Sequence, residues 1–137
     1  MKWLVDTNVW LELLLDQQRA EEVRAFLERT PASHVALTEF TLYSIGIILT
    51  RLSKQEAFAD FVKDIVATAG VQRVRLEALD FVRLLHVHKQ FAFDFDDAYQ
   101  YVAAETTGMT LVTFDADFDR GERERCIPSR ANVTSDN

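Results

Sequence analysis

The chain predicts an α/β fold, because short apolar runs alternate with longer stretches of helical period, glycines punctuate the joins, and acids stand where the runs end. Residues 2–5 form the first run, too short for a helix and closed by Asp6. Segments 8–16 and 20–29 then carry apolar residues at helical spacing. His34-Val35-Ala36-Leu37 is the second strand, and Thr38 is placed to cap a helix over 39–52. A further helix is predicted over 55–68, with Phe58, Phe61, Val62 and Ile65 on one face. Gly70 and Gly108 read as helix ends that feed strands at 72–76 and 110–114. Between those strands lie helical patterns at 77–89 and 96–107. Strands joined through helices pair in parallel, so the four runs predict a sheet covered on both faces, with functional residues at the carboxyl ends of its strands.

The 137 residues, 48% hydrophobic and 27% charged, match one domain with a proper core. Cys126 is the one cysteine, which excludes an internal disulfide and a multi-thiolate zinc site. Asp6 interrupts the opening apolar run, and no later stretch approaches the length of a membrane span, so a cytoplasmic protein without membrane association is expected. The formal net charge of -7 argues against coating nucleic acid through bulk electrostatics. Divalent cations in an acidic pocket would invert the local field. Arg120, Arg123, Arg125 and Arg130 are then the nearest candidates for phosphate contact, unless they form only a solvated run.

The acids carry the functional reading. Asp6 follows Trp3-Leu4-Val5 and Asp115 follows Leu111-Val112-Thr113-Phe114, so both fall just past predicted strands and can converge. Glu39 stands in the first turn of its helix, where the dipole favours negative charge. Asp94, Asp96 and Asp97 precede the run Ala98-Tyr99-Gln100-Tyr101-Val102; Asp96 is the simplest cap, leaving Asp94 and Asp97 to face the pocket. A single acid at a helix start is commonly only a cap. Several from distant positions, each at a strand exit or helix entry, point to a hard divalent cation, Mg²⁺ or Mn²⁺. Such an ion makes a water nucleophilic near neutral pH and neutralises an attacked phosphate, without a histidine or lysine base.

Other chemistries fit less well. Asp115-x-Asp117-x-Asp119 begins like a calcium loop, but Arg120 holds the glycine position and Cys126 that of the closing glutamate. Asp94-x-Asp96 has the spacing of an aspartyl-phosphate phosphatase, yet lies deep in the chain. His86 and His88 are two apart on a predicted helix and point away from each other; they and His34 read as structural or surface residues. The chain lacks a phosphate-binding glycine loop and a Gly-x-Ser-x-Gly elbow.

Leu4-Val5-Asp6-Thr7-Asn8-Val9-Trp10, Leu37-Thr38-Glu39-Phe40, Phe93-Asp94-Phe95-Asp96-Asp97-Ala98 and Leu111-Val112-Thr113-Phe114-Asp115-Ala116-Asp117-Phe118 together resemble a PIN domain, and more narrowly the VapC-type toxin ribonucleases of prokaryotic toxin–antitoxin pairs. The resemblance spans about residues 3–120. It implies a PIN-like three-layer sandwich with a mostly parallel sheet of four or five strands, a single domain over 1–126 and a tail over 127–137. A final strand is expected near Cys126-Ile127-Pro128, which is poor strand sequence. It also implies Mg²⁺- or Mn²⁺-dependent hydrolysis of RNA phosphodiesters, with Asp6, Glu39, Asp97 and Asp115 as the catalytic acids. Asp6, Asp97 and Asp115 are then the metal ligands, Glu39 a water-orienting acid, and Asp94, Asp117, Thr7, Asn8 and Thr113 accessory. Implied partners are RNA, a cognate antitoxin and a second copy. Helix 39–52 carries more apolar residues than a one-sided surface helix needs, which fits either deep burial or an interface. A non-catalytic interaction module is the alternative reading, and a metal-dependent phosphatase a third.

Overall fold

Strand β1 (Trp3–Val5) is buried along its length, because Trp3-Leu4-Val5 offers apolar side chains to both faces as an interior parallel strand requires. The computed structural model describes residues 2–131. Around β1 the sheet adds β2 (Val35–Thr38), β3 (Gln72–Val74), β4 (Thr110–Val112) and β5 (Arg125–Cys126), in the order β3-β2-β1-β4-β5. Every pairing is parallel, with Trp3 opposite both Val35 and Thr110.

Side-chain alternation divides the core in two. Leu4, Ala36 and Leu111 face one side with Leu84, Val87, Tyr99 and Val102. Trp3, Val5, Val35, Leu37 and Val112 face the other with Trp10, Phe26, Ile45, Leu49 and Phe61. The first side is covered by α5 (Asp80–Phe91) and α6 (Phe95–Thr107). The second is covered by α1 (Thr7–Leu14), α2 (Ala20–Arg29), α3 (Glu39–Arg51) and α4 (Gln55–Phe61). This is the expected sandwich. Gly70 and Gly108 take φ of 82° and 71°, the left-handed conformation expected of glycine helix ends.

Several boundaries differ from the sequence expectation for identifiable reasons. The helix of 55–68 is α-helical only to Phe61; Val62–Thr68 winds as a π-helix, keeping Val62, Ile65 and Val66 against the core ahead of β3. Strand β3 stops at Val74, and the Leu76 backbone N–H donates to the Tyr99 hydroxyl (3.0 Å). Helix α5 starts at Asp80 after a turn in which the Asp80 carboxylate accepts from the Glu77 N–H (2.8 Å). The final strand does form, but at Arg125–Cys126, and Pro128, lacking an N–H, opens a 3₁₀ turn.

Of the tail expected over 127–137, Pro128–Ala131 packs on α2. The Arg29 guanidinium donates to the Pro128 and Ala131 carbonyls, Ser129 N–H reaches Glu22 (3.0 Å), and Ala131 is buried. Residues 132–137 lie outside the described part. Among the described residues no helix is long and apolar enough to cross a membrane.

Candidate metal centre

Strands β1 and β4 are neighbours at the middle of the sheet, and their carboxyl ends deliver Asp6 and Asp115 to one cleft of about 310 Å³. This is the crevice at which α/β sheets bind ligands. The start of α6 adds Asp96 and Asp97, and the wall opposite is Phe40, Ser44 and Ile48 of α3.

Asp6 is 6% exposed and caps α1. Its Oδ1 accepts from the Thr7 N–H (2.8 Å) and from Gln100 Nε2 (2.8 Å). Its Oδ2 accepts from the Thr113 hydroxyl (2.8 Å) and, at a longer 3.3 Å, from Asn8 Nδ2. Thr113 also accepts from Asn8 Nδ2 (3.0 Å) and the Asp115 N–H (3.1 Å), while Asn8 Oδ1 takes the Phe114 N–H (3.1 Å). Asn8 and Thr113 therefore tie the exits of β1 and β4 together, while Thr7 links the β1 exit to Thr41 of α3. Burial raises the Asp6 pKa, opposed by the bonds from Gln100, Thr113 and Thr7, with the charge of Asp115 adding to the rise.

Asp97 is half-buried, and its pKa is pushed up to about 7, first by burial and then by the negative charges of Asp96, Asp115, Asp6 and Asp94. Oxygens of Asp97, Asp115 and Asp117 lie within 4.8 Å of one another, as do those of Asp94, Asp96 and Asp97. Asp115 caps the 3₁₀ turn Ala116–Arg120 by accepting the Asp117 N–H (2.9 Å). A cluster of hard oxygen donors in which burial, and then mutual repulsion, raise the pKa of one carboxyl suits a divalent cation, which would relieve that repulsion.

Glu39 departs from expectation. Its side chain does not line the cleft but meets Arg73 Nε (3.5 Å) and accepts from the Tyr43 hydroxyl (3.4 Å). With Thr38 as N-cap, α3 turns Ser44 into the cleft and buries Thr41 behind it, bonded to Thr7 (2.9 Å) and Gln100 (2.7 Å). Helix α6 is capped by Asp94, with no side-chain bond, and not by Asp96. The arginine run is largely engaged within the protein. Arg120 bonds the Phe91 and Ala92 carbonyls and pairs with Asp117 (3.2 Å); Arg123 reaches the Met109 carbonyl; Arg125 pairs with Asp119 (3.0 Å) and bonds the Thr113 carbonyl. Gln100 and Thr41 were missed by sequence reasoning. The available signal was a polar side chain one helical turn after Asp97, flanked by tyrosines.

A parallel α/β sandwich with acids gathered at the central strand exits defines the class of fold, and a family model narrows it. The chain belongs to the PIN domain family, whose model matches residues 3–124. A search of curated proteins finds no match. Among solved structures, the chain is similar to FitAB bound to an IR36 DNA fragment, with a TM-score of 0.81, 19% identity, and coverage of 95% of this chain and 97% of that one. It is similar to Mycobacterium tuberculosis VapC20, a sarcin–ricin loop cleaving toxin, with a TM-score of 0.78, 18% identity, and coverage of 93% and 100%. A toxin–antitoxin complex from Klebsiella pneumoniae aligns with a TM-score of 0.66 at 18% identity, covering 85% and 90%. At these identities the likeness is one of fold.

Proposed function

We propose that this PIN domain is a Mg²⁺- or Mn²⁺-dependent endoribonuclease and the toxin of a type II toxin–antitoxin pair. The observation that carries the proposal is the convergence of Asp6, Asp97 and Asp115 on one cleft, with Asp117 beside them. Asp97 and Asp115 would hold the ion, Asp117 is an accessory donor, and Asp6 approaches from the buried side. A bound divalent cation supplies an activated water and charge neutralisation at a phosphate. Thr7, Asn8 and Thr113 fix Asp6 and the β4 exit, so the acids need not reorganise on binding. Glu39, held by Arg73, is not part of this ligand set.

The RNA reading draws support from the VapC20 likeness, and the antitoxin reading from the structures of complexes. The net charge of -7 makes binding to RNA depend on the ion rather than on a basic surface. A half-buried acid whose burial and acidic neighbours push its pKa to about 7 disfavours an inert interaction module, since an unused charge there weakens the fold.

The test is cleavage of a panel of single-stranded and structured RNAs by wild type and Asp97→Asn, in Mn²⁺, Mg²⁺ or EDTA. Cleavage that requires the metal and falls by at least about 100-fold in the variant is expected, as for loss of a group that supports the reacting centre. Folded wild-type protein that cuts no RNA under any condition refutes the nuclease.

A further inference from the structure

We propose that Gln100 is a positioning residue for the metal centre, holding Asp6 in the orientation from which it serves a divalent cation. The inference rests on the reading of the acid cleft as a cation site. Gln100 is 2% exposed, in the middle of α6, and both ends of its amide are committed. Nε2 donates to Asp6 Oδ1 (2.8 Å) and to the Thr41 hydroxyl (2.7 Å), while Oε1 accepts from the Thr38 hydroxyl (2.7 Å).

The direction of this network is fixed. An ionised carboxylate only accepts, so the amide nitrogen faces Asp6. Thr38 Oγ1 accepts the Thr41 N–H as the α3 cap, leaving its proton for the Gln100 carbonyl. Through one side chain, α6, the α3 N-terminus and the β1 exit are held in register. An amide suits this task because it donates at one end and accepts at the other without adding charge. An acid here would repel Asp6, and an apolar residue would leave three buried polar groups short of a partner. The Gln100 bond opposes the effect of burial on Asp6 and leaves Oδ2 as the less tightly held oxygen, its Asn8 partner being the most distant of the four. Outer partners of metal-ligating carboxylates are commonly worth about 10–100-fold in metal affinity.

The experiment is Mn²⁺ binding, followed by the spectroscopic signal of the free ion, with melting temperature recorded alongside, for wild type, Gln100→Met, Gln100→Asn and Thr30→Val. Thr30→Val removes a buried hydroxyl that donates to the Phe26 carbonyl, outside the acid cleft and its hydrogen-bond network. Weakening of Mn²⁺ affinity by about tenfold or more in Gln100→Met is expected, with Thr30→Val within about twofold of wild type despite its own loss of stability. Gln100→Asn, smaller and still polar, keeps the test available should the methionine variant not fold, and is expected to weaken binding in the same direction. Unchanged affinity in the folded Gln100 variants overturns the inference while leaving the cation site intact. Equal weakening in Thr30→Val and Gln100→Met also overturns it, reducing Gln100 to a stabilising contact. Wild-type protein that binds no Mn²⁺ overturns the cation reading itself, and this inference with it.

Discussion

Burial and the charges of Asp96, Asp115, Asp6 and Asp94 hold the Asp97 proton up to a pKa of about 7, so a divalent cation must displace that proton to bind at acid pH. Two pH effects of opposite sense follow. Mn²⁺ affinity rises as pH increases toward 7, by up to about tenfold per unit for one displaced proton, and levels off above; isotherms at about pH 6 and about pH 8 measure it. Stability of the metal-free protein moves the other way. The folded state keeps the Asp97 proton to about 7 and the unfolded chain releases it near 3.8, so between these values the native state binds more protons and becomes less stable as pH rises. Asp97→Asn is expected to flatten that decline, seen by denaturation in EDTA across the same range. At this scale the convergence of Asp6, Asp97 and Asp115 on one cleft was legible because each follows an apolar run or opens a helix. Glu39 opens its helix as the same rule expects, but its side chain lies off the cleft, because Thr38 capping turns Thr41 inward and Glu39 toward Arg73. Gln100 was hidden because hydropathy says nothing of which polar residue a buried helix face directs at an acid.

The elements around the site are held by close approaches that periodicity does not reveal. A Cβ on Gly121 would lie 2.6 Å from the Tyr101 ring, whose hydroxyl accepts the Glu122 N–H (3.1 Å), so the turn after the 3₁₀ segment rests directly on α6. Gly121→Ala is therefore expected to cost about 1–3 kcal/mol by overpacking, measured by urea denaturation. Recovery of stability on adding Tyr101→Phe would contradict that account, since the ring and not its hydroxyl makes the clash. Strands β1, β2 and β4 were readable from their apolar runs. Strand β5 was not, since Arg125–Cys126 has little strand character and forms because β4 leaves a parallel edge for it. The π-winding of Val62–Thr68 was invisible for a similar reason: its apolar spacing is that of an ordinary helix.

Over the whole molecule, apolar side chains remain uncovered on α3 and near α5: Tyr43 and Ile47 are 62% and 50% exposed, Leu79 and Leu85 82% and 58%. Of the two readings left open for α3, deep burial holds for Ile45 and Leu49 but not for Tyr43 and Ile47, which lie outside the core. Apolar surface of this kind is costly in water, and a second copy is the proposed cover. Light scattering is expected to return twice the 15.7 kDa chain mass, and Ile47→Glu with Leu85→Glu to return the single mass without loss of helical signal. A wild-type chain that scatters as one copy at all concentrations discounts the assembly. The sheet order has a consequence for synthesis. Asp6 meets Thr113 across 107 residues of sequence, and Asp115 enters the cleft only once β4 has paired beside β1. During synthesis Asp6 leaves the ribosome well ahead of β4, and at about 5–20 residues per second the cleft lacks its second strand exit for several seconds more. A nuclease of this design would stay inert toward RNA until β4 had been made and had paired beside β1.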